Sequence, residues 1–457
     1  MKPVLTSTEM AAVDAGAQKH TPLSTLIERA GFALARAAVE ILGYAYGSRV
    51  LVIAGKGHNG DDGRVAARLL ERRGAKVRVV APGALDEVTA SCDLVIDAAF
   101  GTGFKGTYVA PVVGARTPVL AVDIPSGLGS DLGDASDGAV RATHTVTFGA
   151  LKPGLLLGKG PDLIGDCWVE PIGLEPGATE LFLMEDLDLD LIPTRDRFAH
   201  KWRSALFVLA GSKQMRGAAD LSVEGALRTG AGMVRCASPG VDPGHSGSAE
   251  AVAIGLPLEG YAPLVTGELS RCKALVVGPG LGVIAPNRAA LAALLSSTTI
   301  PVLVDADALT LLGSRGEAAS LLAGRVGATI LTPHEGEFAR LSDDALSSDR
   351  LAAVRALSAD LGAIVLLKGP TTIVASPSGA ARLVTSGTPQ LATAGSGDVL
   401  SGVIGALLAR GMDPLDAASV GAHLHGRAAR AGLIDGMKAG DLPALVAQVL
   451  SEHRSTK

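Results

Sequence analysis

The sequence has few aromatic residues and few cysteines, and each shortage excludes a class of protein. Aromatic side chains make up only 3% of the 457 residues, which argues against a protein that stacks single-stranded nucleic-acid bases on rings. The four cysteines are scattered and form no CxxC pair, so neither a disulfide framework nor a zinc site is expected. Such cysteine usage is typical of a reducing compartment.

The chain also lacks the segments that send proteins to a membrane. Its N-terminal stretch MKPVLTSTEMAAVDAG has no apolar core of the roughly 7–15 residues that a signal peptide needs. No uncharged apolar run reaches the roughly 18–20 residues that span a bilayer. The net charge of −5 provides no broad basic surface for phosphate backbones. We therefore expect a cytoplasmic protein with neither a membrane nor a nucleic acid as partner.

The composition favours a folded chain with more than one domain. Hydrophobic residues make up 47% and charged residues 19%, which excludes a mostly disordered chain. At about 150 residues per domain, the length suggests two or three domains. The 58 glycines indicate many tight loops where the backbone approaches another group closely.

Short β-branched runs alternate with Ala/Leu-rich stretches, which is typical of an α/β fold with parallel strands and crossover helices. The predicted strands of the first part are Arg49–Ile53, Lys76–Val80, Leu94–Asp97, Val119–Asp123 and Thr143–Phe148. Those of the second part are Ala205–Ala210, Ala274–Val277, Pro301–Asp305, Ala328–Leu331, Ala363–Leu367 and Thr371–Ala375. Helices are predicted over Asp62–Arg73 and from Gly397 to about Arg410. The proline-rich and acidic stretch between Pro171 and Arg197 predicts a connecting segment, with a join near residues 180–198.

The first motif, GKGHNGDDG over residues 55–63, follows the first strand. Glycines between a strand and a helix let backbone N–H groups approach an anion at the helix N-terminus, although the same residues also make ordinary turns. Two later strands end in carboxylates, Asp97 and Asp123, and Lys152 follows a third. Strand ends of this kind meet at the edge where open α/β sheets bind ligands. Singly, either Asp could instead cap a helix, and the Lys could be a solvated surface charge.

Together the motifs GKGHNGDDG, DAAFGTG, AVDIPSG and TFGALKPG resemble the YjeF N-terminal family of NAD(P)H-hydrate epimerases over about residues 8–175. The resemblance implies a Rossmann-like three-layer domain, placed at residues 1–180. It also implies that Asn59, Asp97 and Ser126 bind K⁺, that Asp123 is an acid/base residue at the hydrated ring carbon, and that Lys152 supports it. The implied hydrate-binding residues are His58, Asn59, Gly60, Asp61, Asp62, Gly101, Thr102, Gly103, Phe104, Lys105, Gly106, Thr107 and Asp123.

The first motif departs from the family pattern at two positions. His58 stands where the family has Asn, and Asp61 stands where it has Gly, which adds a negative charge near the expected phosphates. This departure motivates an alternative in which the first domain is a non-catalytic ligand-binding module. The two hypotheses differ in whether Asp123 is needed for epimer interconversion.

The second motif, TAGSGDVLSG over residues 393–402, precedes the predicted buried helix. Its glycines let consecutive N–H groups point at one place, where the helix dipole adds to an anion hole. Asp398 lies beside that hole and can take a proton from a hydroxyl, which is the pairing that phosphoryl transfer needs. A helix cap with a tight turn is the simpler alternative.

With GPGLG, DADAL, TPHEGE and KGPTT, each at a predicted strand end, this motif resembles the ribokinase-like superfamily, and HK with AGSKQMRGAA resembles its NAD(P)H-hydrate dehydratase branch. The resemblance implies a ribokinase-like α/β domain, placed at residues 195–457, that uses ADP and Mg²⁺. It implies catalysis by Asp398. The implied hydrate-binding residues are Ala218, Gly280, His334 and Asp398, and the implied nucleotide-binding residues are Lys368, Gly369, Pro370, Thr371, Thr372 and Gly397.

The two resemblances together predict a fused repair enzyme for NADHX and NADPHX. One domain interconverts the R and S hydrates, and the other dehydrates the S form to NAD(P)H at the expense of ADP. The alternative within enzymes is a small-molecule kinase, since the superfamily shares the anion hole. A homo-oligomer is compatible with the sequence, but no residue pattern demonstrates one.

Overall fold

The computed structural model describes residues 1–83, 92–243 and 248–455. The chain divides into two compact units, Lys2–Leu181 and Phe182–Lys457 together with Met1. Each unit contains a largely parallel sheet flanked by helices, so the α/β fold class predicted from the sequence is confirmed. No helix among the described residues is both long and apolar enough to cross a membrane.

The first unit contains a sheet of parallel strands in the order β3-β2-β4-β5-β6-β7. The strands assigned to this part of the chain are β1 (Lys2–Pro3), β2 (Arg49–Ala54), β3 (Lys76–Val80), β4 (Leu94–Ala98), β5 (Val119–Val122), β6 (His144–Phe148) and β7 (Asp166–Glu170). The helices are α1 (Ser7–Ala17), α2 (Leu23–Leu42), α3 (His58–Arg72), α4 (Pro153–Leu156) and α5 (Gly160–Leu163).

Both faces of this sheet are buried, which explains the uninterrupted apolar runs of its central strands. In β2, Val50 and Val52 belong to the core that includes α2 and α3. Leu51 and Ile53 point to the other face and pack in a cluster with Tyr108. Side chains alternate along a strand, so one short apolar sequence contributes to both cores.

The second unit contains the larger sheet, in which its strands follow the order β8-β17-β16-β15-β14-β13-β12-β9-β10-β11. Its strands are parallel from β15 to β11, and β16 and β17 are antiparallel. The strands are β8 (Leu181–Leu183), β9 (Ala205–Leu209), β10 (Met233–Ala237), β11 (Val252–Ala253), β12 (Ala274–Val277), β13 (Val302–Val304), β14 (Thr329–Leu331), β15 (Ile364–Leu367), β16 (Thr372–Ala375) and β17 (Ala381–Val384).

The helices of the second unit surround one buried helix. They are α6 (Arg216–Arg228), α7 (Ala262–Leu269), α8 (Ala285–Ser297), α9 (Asp307–Leu312), α10 (Arg315–Leu322), α11 (Glu335–Ser342), α12 (Arg350–Leu361), α13 (Ser396–Ala409), α14 (Pro414–Ala431) and α15 (Leu442–Ser455), with 3-10 turns at Asp186–Leu191, Lys201–Ser204, Pro389–Leu391 and Ala439–Asp441. Every residue of α13 from Val399 to Ala409 is buried. A β-carbon at Gly402 would lie 1.9 Å from the Ser222 carbonyl oxygen, so only glycine allows α6 this close.

Every strand predicted from the sequence occurs, with bounds that differ by no more than one residue at either end. The buried helix α13 also occurs where it is predicted. Strands β7, β10 and β17 were not predicted, because each contains charged or partly exposed residues that interrupt the apolar run. The predicted start of α3 was wrong: the helix was expected to begin at Asp62, but His58–Asp61 already forms its first turn.

Candidate functional site

A cavity of about 490 Å³ lies in the first unit, where loops follow the carboxyl ends of the central strands. It brings together the predicted residues His58, Asn59, Asp62, Gly101, Thr102, Gly103, Phe104, Asp123 and Lys152. The described residues that line it do not include the predicted Gly60, Asp61, Asp97, Lys105, Gly106, Thr107 and Ser126. The predicted residues therefore divide into those that line the cavity and those that do not.

Lys152 and Asp123 form a buried ion pair at this cavity. The Lys152 side chain is almost fully buried, and its Nζ also donates to Thr147 Oγ1 at 2.8 Å and to the Phe148 carbonyl at 2.9 Å. Asp123 Oδ1 also accepts hydrogen bonds from Thr147 Oγ1 at 3.0 Å and from the Phe148 N–H at 3.2 Å. The ammonium group is thus held on three sides, while the carboxylate lines the cavity.

The backbone of Asp123 is itself unusual. Its φ of 65° lies in the left-handed region, which residues other than glycine seldom adopt. This conformation directly follows the end of β5, so the chain turns sharply where the strand leaves the sheet. The turn places Asp123 where its carboxylate accepts from Phe148 and Thr147 of the neighbouring strand β6.

Asn59, Asp97 and Ser126 belong to one oxygen-rich cluster. Asn59 lines the cavity, Asp97 and Ser126 lie outside its lining, and Asn59 and Ser126 both donate to the Phe100 carbonyl. Ser126 donates to Asp97 through its N–H at 2.8 Å and its hydroxyl at 2.7 Å. Asn59 Nδ2 donates to the Phe100 and Val122 carbonyls, each at 2.9 Å. Asp97 is fully buried, and burial raises its pKa to about 6. No basic side chain among the described residues pairs with it, so this oxygen-rich cluster fits a hard monovalent cation.

The first turn of α3 forms a second wall of the cavity. Gly60 packs against the preceding strand end, since a β-carbon there would lie 2.1 Å from the Gly55 carbonyl oxygen. Asp61 points away from the cavity lining and pairs with Arg64 at 3.0 Å. The first N–H groups of a helix have no partner within it, so this helix start is suited to bind an anion. Burial, together with the charges of Asp123, Asp61 and Asp14, raises the pKa of Asp62 to about 8.

The second unit contains a cluster at the N-terminus of α13. Gly395, with φ of 92°, turns the chain into the helix. Asp305, which follows β13, is almost fully buried and accepts from Lys368 Nζ at 2.9 Å and from Ser401 Oγ at 2.6 Å. A β-carbon at Gly397 would lie 3.6 Å from Lys368 Nζ, so the ammonium group faces the helix start.

Electrostatics distinguish the groups of this cluster. Burial acts to raise the pKa of Asp305, but the Lys368 charge and the hydrogen bonds from Ser401, Lys368 and Thr332 lower it overall. Burial and then the Asp305 charge raise the pKa of Asp398 to about 7. Asp305 is therefore ionised at neutral pH, whereas Asp398 is poised to exchange a proton.

The remaining predicted residues of the second unit lie at other strand ends and helix starts. A β-carbon at Gly280, with φ of 58°, would lie 2.8 Å from the Ala218 β-carbon, so these two positions are in contact. His334 caps α11, because its Nδ1 accepts from the Gly336 N–H at 3.0 Å. Lys368, Gly369, Pro370 and Thr371 form the turn after β15, and Thr372 begins β16.

Three site residues were not assigned from the sequence. Asp14 of α1 lines the cavity of the first unit, but on a helix its carboxylate has no sequence signal. Asp305 lay at a predicted strand end and received no role, although that position was a usable signal. His425 of α14 is buried, and its Nε2 has no partner among the described residues. Burial lowers the pKa of His425 to about 4, so its ring is neutral.

Comparisons with known proteins match both units. Residues 206–450 match the family model described as NAD(P)H-hydrate dehydratase. Residues 23–91 and 81–154 match the model described as YjeF-related protein N-terminus.

Among described residues, no group of three His, Cys, Asp or Glu side chains could hold a metal ion.

Curated relatives match over nearly the whole chain. A bifunctional NAD(P)H-hydrate repair enzyme of Mycobacterium leprae is 37% identical, over 95% of this chain and 94% of its own. One of Mycobacterium tuberculosis is 38% identical over 89% of each chain. A crystal structure of a ribokinase-like superfamily protein of Enterococcus faecalis is 23% identical with a TM-score of 0.53, over 61% of this chain and 98% of that one. The last likeness shows the fold of the second unit.

Proposed function

This chain belongs to the family of bifunctional NAD(P)H-hydrate repair enzymes, and from that premise we propose how its two units divide the work. The enzyme repairs hydrated nicotinamide cofactors by epimerising NAD(P)HX and dehydrating it to NAD(P)H. We assign epimerisation to residues 1–180 and ADP-dependent dehydration of the S form to residues 195–457. The observation that carries this division is that the first site offers a carboxylate and the second an ammonium group at a helix N-terminus.

In the epimerase site, Asp123 is the acid/base residue at the hydrated ring carbon. Lys152 is buried behind it and holds the carboxylate in place through the ion pair. A positioned carboxylate can assist the reversible loss and return of the hydroxyl group. The first turn of α3 and Gly101–Phe104 bind the dinucleotide, because both segments line the cavity and the N-terminus of a helix suits phosphate. Lys105, Gly106 and Thr107 follow the lining residues in the chain, and we assign them to the same dinucleotide.

We assign the buried oxygen cluster of Asn59, Asp97 and Ser126 to K⁺. The supporting observation is that Asp97 is fully buried and pairs with no basic side chain in the described part of the chain. A bound monovalent cation supplies the missing positive charge. Ser126 and Asn59 also bond to the carbonyls beside Gly101 and Asp123, so this cluster positions both binding segments.

In the dehydratase site, Asp398 takes the proton of the hydrate hydroxyl as that oxygen attacks the terminal phosphorus of ADP, and AMP departs as the leaving group. Lys368 and the N–H groups of Gly397 and its neighbours stabilise the charge on the transferred group. Lys368–Thr372 bind the nucleotide, and Ala218, Gly280 and His334 bind the hydrate. Mg²⁺ supplies charge neutralisation when bound, held chiefly by phosphates and water. Inorganic phosphate then leaves with the electrons of the ring C–O bond, and loss of a proton from the neighbouring ring carbon restores the double bond of the nicotinamide ring.

Incubation of the protein with racemic NADHX, Mg²⁺ and ADP tests this function. Complete recovery of absorbance at 340 nm supports both activities, because only the S form is dehydrated directly. Recovery that stops near half contradicts the epimerase assignment. No recovery with either ADP or ATP contradicts the dehydratase, and a stable phosphorylated hydrate would favour the small-molecule kinase instead.

Replacement of K⁺ by a non-coordinating organic cation tests the metal assignment. Interconversion of the epimers should slow, while dehydration of purified S hydrate should continue unchanged. The variant Asp97→Asn should make interconversion insensitive to K⁺. Equal rates with and without K⁺ in the unaltered protein would contradict the assignment.

A further inference from the structure

The inference concerns one face of helix α1, which forms part of the epimerase cavity. Met10, Asp14 and Gln18 line the cavity, and they are spaced four residues apart. Residues at this spacing lie on one face of a helix. The first residue of that face, Met10, is apolar and buried. The next residue along it, Asp14, carries a carboxylate.

Helix α1 is held firmly in its place. Thr6 and Glu9 form a capping box at its start. The Ser7 N–H donates to Asp131 at 2.7 Å, which ties the first turn to a loop that follows β5. Contacts with the rest of the first unit therefore fix helix α1, and with it the position of Asp14 at the cavity.

Asp14 is half-buried, and its carboxylate has no hydrogen-bond or ion-pair partner among the described residues, since only its backbone carbonyl accepts a hydrogen bond, from the Gln18 N–H. The charged groups that act on it are Asp123, Lys152 and His58, all of which line the same cavity. Burial, followed by the Asp123 charge, raises the pKa of Asp14. Because Lys152 is already held by Asp123 and its neighbours, Asp14 faces the cavity as a free carboxyl group.

The cavity thus presents carboxyl groups from three elements: Asp123 at the sheet edge, Asp14 on α1 and Asp62 on α3. Epimerisation inverts a carbon that carries a hydroxyl group next to the ring nitrogen. If the hydroxyl leaves as water, the nitrogen lone pair forms a planar iminium, and inversion requires water to return on the other face. Such a path needs an acid on one face and a base on the other, as inverting glycosidases do.

We propose that Asp14 is the second acid/base residue of the epimerase site and serves the ring face opposite Asp123. In one direction, a carboxylic acid gives its proton to the departing hydroxyl, and the C–O bond breaks with formation of the C=N bond. Water then attacks the other face and gives its proton to the second carboxylate, while the C=N electrons return to nitrogen. The two carboxyl groups exchange protonation states, so the next inversion runs in the opposite direction. This proposal rests on the proposed epimerase function.

The test uses the full-length protein and the purified R epimer of NADHX, without nucleotide, in water enriched in oxygen-18. The unaltered protein should convert R to S and incorporate one oxygen-18 per inversion. Asp14→Asn, which is nearly isosteric, should slow inversion by about 100-fold or more. Asp14→Glu keeps the carboxyl group and should recover part of the rate. Asp162→Asn, an exposed carboxyl on α5, is the matched control and should leave inversion unchanged.

Hydrogen exchange over α1 and α2 shows whether Asp14→Asn keeps the native fold. If Asp14→Asn unfolds, the rate of Asp14→Glu still tests the proposal. Inversion by Asp14→Asn within threefold of the unaltered rate would overturn the proposal. So would inversion without uptake of oxygen-18, because the hydroxyl would not have left. Failure of the unaltered protein to invert either epimer would instead refute the proposed epimerase function.

Discussion

The two units each contain a Lys–Asp ion pair at the carboxyl edge of a parallel sheet, but the pairs are buried in opposite senses. In the first unit Lys152 is the buried member, with 2% of its side chain exposed, and Asp123 lines the cavity. In the second unit Asp305 is the buried member, also 2% exposed, and Lys368 is 24% exposed. The first site therefore presents a negative group and the second a positive one.

This difference shows how one fold class supports two chemistries. A carboxylate with a buried counter-ion can exchange protons with a substrate, whereas an ammonium group with a buried counter-ion can stabilise a phosphoryl group. Each site follows a strand end with a positive φ at a residue other than glycine, at Asp123 with 65° and at Ala306 with 51°. In both units the candidate site lies at the carboxyl edge of the sheet, and the burial of one member of the ion pair determines which charge faces the ligand.

The largest expected effect comes from neutralising each of the two carboxylates, Asp398 and Asp123, in a separate variant. Asp398→Asn removes the base that accepts the hydrate proton, so dehydration of S-NADHX should fall by about 10²–10⁴-fold. Asp123→Asn should slow epimer interconversion by a similar factor while dehydration continues. Absorbance at 340 nm and chromatographic separation of the epimers measure the two rates.

The exposed carboxyls Asp344 and Asp162 provide matched Asn controls in the two units. Both control variants should keep both activities. Loss of dehydration in Asp123→Asn would show that the two sites are not independent. That result would break the comparison between them.

Replacement of the lysine in each ion pair should lower the free energy of unfolding by different amounts. Lys368→Met leaves Asp305 buried without its counter-ion and should cost about 3–5 kcal/mol of unfolding free energy. Lys152→Met leaves Asp123 at a cavity wall where water can reach it, so we expect a smaller loss of about 1–3 kcal/mol. Hydrogen exchange of peptides within each unit measures the two losses separately.

The exposed lysines Lys273 and Lys19 are the corresponding controls, and their Met variants should change stability little. A larger loss for Lys152→Met than for Lys368→Met would contradict the assigned burial of the two pairs.

The two sites should also respond differently to pH. Asp398 must be ionised to accept a proton, and its pKa is about 7. Dehydration should therefore rise about tenfold per pH unit below 7 and level off above it. Asp62 has a pKa of about 8, so it is neutral at pH 7 and gains a charge beside Asp123 at higher pH. The KM for epimerisation should increase above pH 8.

Initial rates between pH 5.5 and about 9.5 test both trends. Asp62→Asn cannot ionise and should remove the increase in KM above pH 8. A KM that rises equally in this variant would assign the effect to another group.

The smallest expected effect concerns Asp61, where the family has Gly. Asp61 is about half-exposed and pairs with Arg64 on the helix surface, so its charge is strongly screened. Asp61→Gly should lower the KM for NADPHX by no more than about threefold, which corresponds to well under 1 kcal/mol. Asp61→Asn isolates the charge from the backbone change, and a tenfold effect in that variant would show that the carboxylate reaches the phosphates.

Much of the fold could be predicted from the sequence because its strands are short apolar runs bounded by polar residues. Val119–Val122 and Ala274–Val277 are examples, since burial on both faces imposes an unbroken apolar pattern. Strands β7 and β17 could not be predicted in this way. Their charged and partly exposed residues carry no such pattern, and pairing with neighbouring strands makes them regular.

The sequence likewise indicated some residues of the candidate sites and missed others. Asp123 follows β5, Lys152 precedes α4 and Asp398 lies in the first turn of α13, so local patterns indicated them. The first turn of α3 was wrong because glycine and Asn within GHNG predict a loop, whereas packing of Gly60 on the Gly55 carbonyl allows the helix to start earlier. Asp14 was missed because a carboxylate on a helix is usually solvated.

The sequence by itself determined the α/β class, the strands and the motifs at their ends, because apolar periodicity and turn chemistry act over a few residues. Only the tertiary structure decided that Asp14 shares a cavity with Asp123, and that Lys152 and Asp305 are the buried members of their pairs. These relations join segments that are far apart in the chain. They depend on how helices and strands pack, and packing determines which charge is removed from water and which remains to meet a ligand.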